Sequence, residues 1–268
     1  MNFETPQQRL NAIHEQIQRQ LANHEITELV NTDQIKLYRC KQPGTWAYGF
    51  DIILAPTCIT ISGDIGHVLY NVGRGLDFLA GYGCTDYGFK KLDDVYRQQK
   101  EVSSYQLASY LYPLIYKHLW FETIAPEKKP AALIDPEHWH QATTNEIAGA
   151  MEVLWDAVKQ LHLTEDEAKL PTWLQDIDYD EATIEGIYTL LDELRDSHYQ
   201  PDLADLHPTL QDSILPELDP DWWEHCFTET EWNVVWVTAC AQWAASRFLA
   251  QQPDSETADT EGNAVCSS

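Results

Sequence analysis

The hydrophobic pattern of the first part of the chain changes its period once. In residues 7–30 apolar positions recur at spacings of three and four, the pattern of one face of an α-helix. From residue 35 to about residue 72 the period shortens to two, as in half-buried strands. We expect a helix over 7–30 and then a small antiparallel meander with one buried aromatic face. Alternating apolar positions mark its second strand: Trp46, Tyr48, Phe50, Ile52 and Leu54.

The remainder of the chain has a helical period. Candidate helices cover residues 137–161, 180–197 and 229–251, and a segment with Pro126 and Pro130 precedes them. These patterns predict an α+β fold. A small antiparallel β-meander in the N-terminal half packs with helices, and a mostly helical, acidic C-terminal half follows.

The same patterns predict where the chain divides. Residues 1–125 form the expected helix and meander region, and residues 135–252 form the acidic helical region, although one continuous domain would also fit. Residues 253–268 have no apolar periodicity and are expected to form a disordered tail.

The apolar run over residues 232–250 reaches the length of a membrane span. It contains Asn233, Gln242 and Arg247, which are costly against lipid, so we interpret it as a core helix. The first 21 residues lack a basic segment followed by an apolar one, which predicts a cytoplasmic protein. If the protein comes from a phage, the expected compartment is the host cytoplasm.

Charge is distributed unevenly along the chain. Residues 1–134 contain 13 Lys and Arg against 14 Asp and Glu, whereas residues 135–268 contain 4 against 29. An acidic surface repels nucleic acid and membranes and attracts basic proteins. The expected partner is a host protein with a basic surface, without direct binding to nucleic acid or membrane, and the oligomeric state is left open.

Cysteine and histidine spacing predicts neither a metal site nor a cofactor. The six cysteines are scattered without a C-x-x-C pair. His138 and His140 would diverge on a helix, and no third ligand is placed by spacing. The tryptophans of the last fifty residues are interpreted as core: Trp222, Trp223, Trp232, Trp236 and Trp243.

One segment of the meander has a distinctive sequence, YRCKQPGTWAYGFDIILAPTCITISGDIGHVLYNV. It resembles a segment of many small phage and prophage proteins, in which a Gly-Phe-Asp strand precedes a proline turn and a strand ending in Gly-Asp-(Ile or Met)-Gly. The resemblance covers about residues 38–82. Where that family often has Trp-Pro-Gly, this chain has Ala55-Pro56-Thr57. The resemblance implies a phage or prophage origin, and accessory genes of that origin often act against host defence. It brings no activity and no catalytic residues.

Two turns of the meander are candidates for chemistry. Residues 63–67, Gly-Asp-Ile-Gly-His, are first of all a hairpin turn. A catalytic or metal-binding role would use Asp64 and His67 as an acid/base pair, with Asp51 nearby. The backbone and guanidinium of Gly73-Arg74-Gly75 could cradle a phosphate, although a plain loop is favoured because dinucleotide and Walker spacing are absent.

The leading hypothesis assigns function to the acidic helices. Carboxylates on helices can imitate the charge of a phosphate backbone and occupy a DNA-binding groove, as an anti-defence or host-takeover inhibitor would. A merely solubilising surface is the alternative for the same charges. An enzyme or nucleotide-binding protein, and an assembly protein, are the other classes considered, with an enzyme less favoured. The candidate partner-binding residues are Asp176, Asp178, Asp180, Glu181, Glu185, Asp192 and Glu193.

Overall fold

The computed structural model describes residues 5–73, 75–119, 124, 127–164, 169–175, 177, 179–196 and 203–252. The chain falls into two units. Residues 10–99 and 230–268 form one unit, named here the sheet unit, and residues 1–9 and 100–229 form the other, named the helical unit. The expected disordered tail, 253–268, lies outside the described residues.

The sheet unit is built on a five-stranded antiparallel meander whose strands follow one another in chain order. Helix α1 (Pro6–Gln20) enters this unit from Leu10 onward. The strands are β1 (Glu25–Asn31), β2 (Lys36–Lys41), β3 (Phe50–Leu54), β4 (Ile59–Gly63) and β5 (Gly66–Tyr70). The helices that follow in this unit are α2 (Leu76–Tyr82), α3 (Asp86–Phe89), α4 (Asp94–Arg97) and the last helix of the chain, α10 (Trp232–Gln251).

The core of the sheet unit lies against one face of the meander. Phe50, Ile52 and Ile61 point into it because alternate residues of a strand face the same side. Helix α10 packs on α2 and β5. Its small residues Ala241 and Ala244 are fully buried, which allows close approach. Residues 1–134 alone therefore do not complete this core.

Two expectations for this region are corrected by the structure. The helix expected over 7–30 ends at Gln20, and residues 25–31 form strand β1. Only the second half of the expected aromatic strand is extended and buried. Trp46 and Tyr48 lie in the loop before β3 and are 43% and 39% exposed, respectively.

The helical unit contains the longer helices and one short sheet. Strand β6 (Lys100–Val102) pairs with β7 (Thr228–Thr230). The α-helices are α5 (Ser104–His118), α6 (Thr144–Leu163), α7 (Glu181–Asp196), α8 (Leu203–Gln211) and α9 (Leu215–Leu218). Short 3-10 helices occupy Pro136–Gln141 and Trp222–Glu224.

Helices α6 and α7 pack against each other and contribute to a continuous apolar core. Helix α6 begins with a reciprocal capping box, in which Thr143 and Glu146 each accept from the backbone N–H of the other. Fully buried Ile147, Leu154 and Val158 recur on one face of this helix.

The α+β class, the N-terminal antiparallel sheet and the mostly helical C-terminal half agree with the sequence. The units divide the chain elsewhere than expected. The sequence placed residues 135–252 together, whereas α10 belongs with the meander. The reason is that its apolar residues pack into the core of the sheet unit.

Candidate partner-binding surface

Helix α7 carries most of the described candidate partner-binding residues, and its own pattern explains how they are presented. Ile184, Ile187 and Leu190 are buried, at the spacing of three that one helix face requires. The opposite face is left to polar side chains. Burial of the apolar face therefore holds the carboxylates of α7 towards solvent.

Three of those carboxylates form a stripe. Glu181, Glu185 and Asp192 fall within an arc of about 40° when each residue turns the helix by roughly 100°. Glu181 and Glu185 are exposed and Asp192 is half-buried. Within the described part of the chain, none of the three is in an ion pair. Glu193 is exposed on the neighbouring flank. The stripe is thus an uncompensated negative surface.

Asp180 is exposed and also has a structural role at the start of α7. Its Oδ2 accepts hydrogen bonds from the backbone N–H and the hydroxyl of Thr183, both at 2.9 Å. These bonds lower the pKa of the Asp180 carboxyl and satisfy a free N–H in the first turn of α7. Asp180 therefore helps to start the helix. Asp176 and Asp178 lie outside the described residues.

Helix α6, which packs against α7, also carries exposed carboxylates. Glu152 and Asp156 are exposed one turn apart. Between the two helices, the ring of Tyr188 stacks on His162 with centroids 4.5 Å apart. On α6, Lys159 Nζ lies 4.6 Å from the ring centroid of Trp155. Aromatic rings thus meet between the two helices, and the face of Trp155 already holds a cation.

A second acidic surface surrounds the 3-10 turn at Trp222–Glu224. Trp222 is buried, with 5% of its area exposed, but Trp223 is 61% exposed. The expectation that both belong to the core is wrong for Trp223. Asp221 and Glu224 on either side of it are exposed. The signal available in the sequence was the Trp-Trp pair itself, because a short turn rarely faces two consecutive side chains inward.

The charge of the chain follows the structural units. The helical unit contains 8 Lys and Arg against 28 Asp and Glu, a net charge of −20. The sheet unit contains 9 against 15, a net charge of −6. Negative charge is therefore concentrated in the unit that carries α6 and α7.

The residues of the hairpin turn at 63–66 are explained by the backbone conformation of the turn and by a contact with the loop before β3. Gly63 and Gly66 pair across β4 and β5, and Gly66 has a φ of +107°, which favours glycine. Asp64 Oδ2 accepts from the backbone N–H of Tyr48 at 2.8 Å. Tyr48 itself has a φ of +55°. The Asp64 carboxylate thus helps hold the loop before β3.

Asp51 and His67 are not brought together in the structure. Asp51 forms a bidentate ion pair with Arg39, with both N–O distances 2.8 Å. His67 is opposite Ser62, which is opposite Asp51, so two strand spacings, roughly 10 Å, separate their backbones. The ring of His67 packs edge-on against Tyr96 with centroids 5.6 Å apart. A catalytic role for Asp64 and His67 remains a prediction without supporting geometry.

Gly73 and Gly75 have different surroundings, and Gly75 borders a groove with acidic walls. A Cβ on Gly73 would lie 1.9 Å from the carbonyl oxygen of Pro56, so close backbone packing requires glycine there. Gly75 lines an open groove of about 360 Å³. Arg74 lies outside the described residues. The charged side chains of the groove are Glu28, Asp33, Lys36 and Asp77. Their net negative charge disfavours a phosphate.

Among the described residues, no group of three or more His, Cys, Asp or Glu side chains is arranged to hold a metal ion. None of the helices in that part of the chain combines the length and apolar character that crossing a membrane requires.

Comparisons with protein-family models, with curated proteins and with solved structures find no match to this chain. The resemblance of residues 38–82 to phage proteins therefore stays a prediction.

Proposed function

We propose that this protein acts by binding a basic protein surface through its helical unit, and that its partner is a nucleic-acid-handling protein. The observation that carries the proposal is the net charge of −20 on that unit, together with the uncompensated stripe of Glu181, Glu185 and Asp192. Proteins that bind nucleic acid present Lys and Arg in clusters. Such clusters complement an acidic surface of this kind.

The charge density of α7 can be compared with that of the duplex DNA that such a partner binds. Residues 181–192 of α7 span roughly 16 Å and carry three carboxylates in the stripe. Duplex DNA carries one charge per about 1.7 Å, or about nine over the same length. One helix therefore cannot imitate a phosphate backbone. The proposal needs the field of the whole helical unit, including Glu152 and Asp156 of α6.

The resemblance of the meander to phage and prophage proteins supports a biological setting for this binding. In that setting the protein is an accessory factor that occupies the nucleic-acid site of a host protein, as an anti-defence or host-takeover inhibitor does. A small binding protein fits such a role because occupying a basic groove requires no catalytic site.

The first test compares two variants of equal charge in a pull-down from nuclease-treated host lysate. The triple variant E181Q/E185Q/D192N removes the stripe. The control E15Q/E25Q/D33N removes three exposed carboxylates of the sheet unit. The expected result is a stoichiometric nucleic-acid-handling partner that is retained by wild type and control and weakened about tenfold or more in the stripe variant.

The purified partner then allows a direct measurement. Its Kd for the wild-type protein should rise steeply with NaCl concentration, and a DNA duplex should compete with the protein for it. A partner bound equally by both triple variants, or no partner in nuclease-treated lysate at low salt, contradicts the proposal. The acidic surface would then be a solubilising one.

A further inference from the structure

Among the described residues, two tryptophans have more than a third of their area exposed, Trp46 and Trp223. Trp223 is the more exposed of the two, with 61% of its area accessible. Tryptophan is among the residue types most enriched at binding hot spots, so an indole held in water is a candidate anchor for a partner.

The turn that presents Trp223 is held in place by several contacts. Asp219 accepts hydrogen bonds from the hydroxyl of Tyr110 at 2.6 Å and from the backbone N–H of Asp221 at 3.0 Å. Trp222 packs against His207, with ring centroids 4.9 Å apart. These contacts fix the backbone on the amino-terminal side of Trp223.

The carboxyl-terminal side is fixed as well. Phe227 is buried, and its carbonyl accepts from the backbone N–H of Ser103 at 2.8 Å. The ring of His225 lies 4.4 Å from that of Tyr110. Trp223 is thus displayed by a structured turn. A binding partner would meet a backbone that is already ordered, so little backbone conformational entropy is lost on binding.

Exposed carboxylates are neighbours of Trp223 in the chain. Asp221 and Glu224 flank it, and Glu217 is exposed in the helix that precedes it. The indole face attracts cations through its quadrupole, and nearby carboxylates strengthen that attraction. An apolar partner would have to desolvate these carboxylates without compensation, whereas a cationic one would pair with them.

We infer that Trp223 anchors the basic partner at the second acidic surface, around the 3-10 turn, and that it takes an arginine side chain of that partner on its ring. The inference rests on the proposed function, because it names the chemistry of the same partner. Arginine fits better than lysine. Its planar guanidinium stacks on the indole and still donates in-plane hydrogen bonds to Asp221 and Glu224.

The test uses octa-arginine and octa-lysine peptides of equal charge as probes. Binding is measured by calorimetry in 20 mM salt with wild type, W223A, W223F and the control W46A, which removes a tryptophan that is 43% exposed in the sheet unit. We expect W223A to weaken octa-arginine binding about fivefold to tenfold, W223F to retain most of it, and W46A to change it less than twofold. Octa-lysine binding should depend less on residue 223.

A second measurement follows peptide binding in the wild-type protein, so binding is not measured on a variant. In ¹⁵N-labelled wild-type protein the indole N–H resonance of Trp223, assigned by its loss in W223F, should shift before the other indole signals as octa-arginine is added. Octa-lysine should shift it less.

The outcomes separate the inference from the proposed function. If octa-arginine binds in a salt-sensitive way but W223A binds it as wild type does, and the Trp223 signal does not move, the inference is wrong and the proposed function stands. If neither peptide binds in 20 mM salt, both are wrong. If the two peptides depend equally on Trp223, the preference for arginine is wrong.

Discussion

At the scale of single residues, the cysteines of the described chain show how the same side chain acquires different chemistry. Cys40 and Cys240 are fully buried, and Cys84 nearly so. Burial raises the pKa of the Cys40 thiol to about 12 and also raises those of Cys84 and Cys240. Cys226 is exposed, and the hydroxyl of Thr228, 3.3 Å from its Sγ, lowers the pKa of its thiol.

This contrast predicts the order of alkylation. Because the thiolate is the nucleophile, iodoacetamide at pH 7 should modify Cys226 at least about tenfold faster than Cys40, Cys84 or Cys240. The measurement is peptide mass spectrometry over time. Since the pKa of Cys226 is lowered, its rate should level off at a lower pH than that of an ordinary thiol.

The variant T228V provides the control. It removes the hydroxyl that stabilises the thiolate, so the pKa of Cys226 should rise and its alkylation at pH 7 should slow. If T228V reacts as fast as wild type over the pH range, the hydrogen bond is not the cause.

At the scale of elements, the departures from the expected pattern have physical reasons. Residues 25–30 contain Ile26, Leu29 and Val30 at spacings that also fit a helix. In the structure this segment pairs with β2 as strand β1. Spacing alone could not distinguish these outcomes, because the hydrogen bonds of a strand come from a partner distant in sequence.

The loop before β3 has a similar explanation. The period of two continues through Trp46 and Tyr48, but the backbone N–H of Gly49 bonds to the carbonyl of Trp46 at 2.7 Å and closes a turn. The Cβ of a residue other than glycine at position 49 would lie 2.9 Å from that carbonyl oxygen. A turn inside an alternating pattern could not be predicted without knowing this close approach.

Substitution by alanine should have opposite effects on stability at Gly63, in the hairpin of β4 and β5, and at Gly81, in α2. A Cβ on Gly63 would lie 2.3 Å from the carbonyl oxygen of Gly49 and 2.5 Å from the Cα of Phe50, so G63A should lower the free energy of unfolding by about 1–3 kcal/mol or more. Gly81 lies within α2 with nothing within 4 Å of an added Cβ. There G81A should stabilise by about 0.5–1 kcal/mol. Urea denaturation, followed with a probe in the sheet unit, measures both changes in the free energy of unfolding.

The two substitutions control for each other, since each adds one methyl group to the same unit. A neutral G63A would show that the hairpin can shift to accept a Cβ. A destabilising G81A would show that α2 needs glycine for a reason not visible in its surroundings.

At the scale of the whole molecule, the sequence predicted the α+β class and the antiparallel sheet because both depend on local period. It did not predict that α10 belongs with the sheet, since its apolar face fits either core and only packing decides. The charge distribution of the sequence did indicate Glu181, Glu185 and Asp192 as candidate partner-binding residues. The sequence did not indicate the exposure of Trp223, because it depends on which of two adjacent rings the core accepts.

The uneven charge predicts a difference in how the units respond to salt. Raising NaCl from 10 mM to 1 M shortens the screening length from about 30 Å to about 3 Å and should relieve repulsion among the carboxylates of the helical unit. Amide hydrogen exchange in α6 and α7 should slow by about fivefold or more, which corresponds to roughly 1 kcal/mol. Exchange in β3 and β4 should change less. Equal slowing in both units would mean that salt acts through hydrophobic burial instead of charge.

Helix α10 packs on a meander that lies much earlier in the chain, so the sheet is synthesised well before its core can be completed. The strands are synthesised first, but the helix that buries their apolar face follows Lys100–Glu229, a stretch of 130 residues. At about 5–20 residues per second, the nascent sheet stays uncovered for roughly 7–26 s. During that interval Phe50, Ile52 and Ile61 are open to chaperones and to other nascent chains. Translation speed across the helical unit is therefore expected to influence the yield of folded protein.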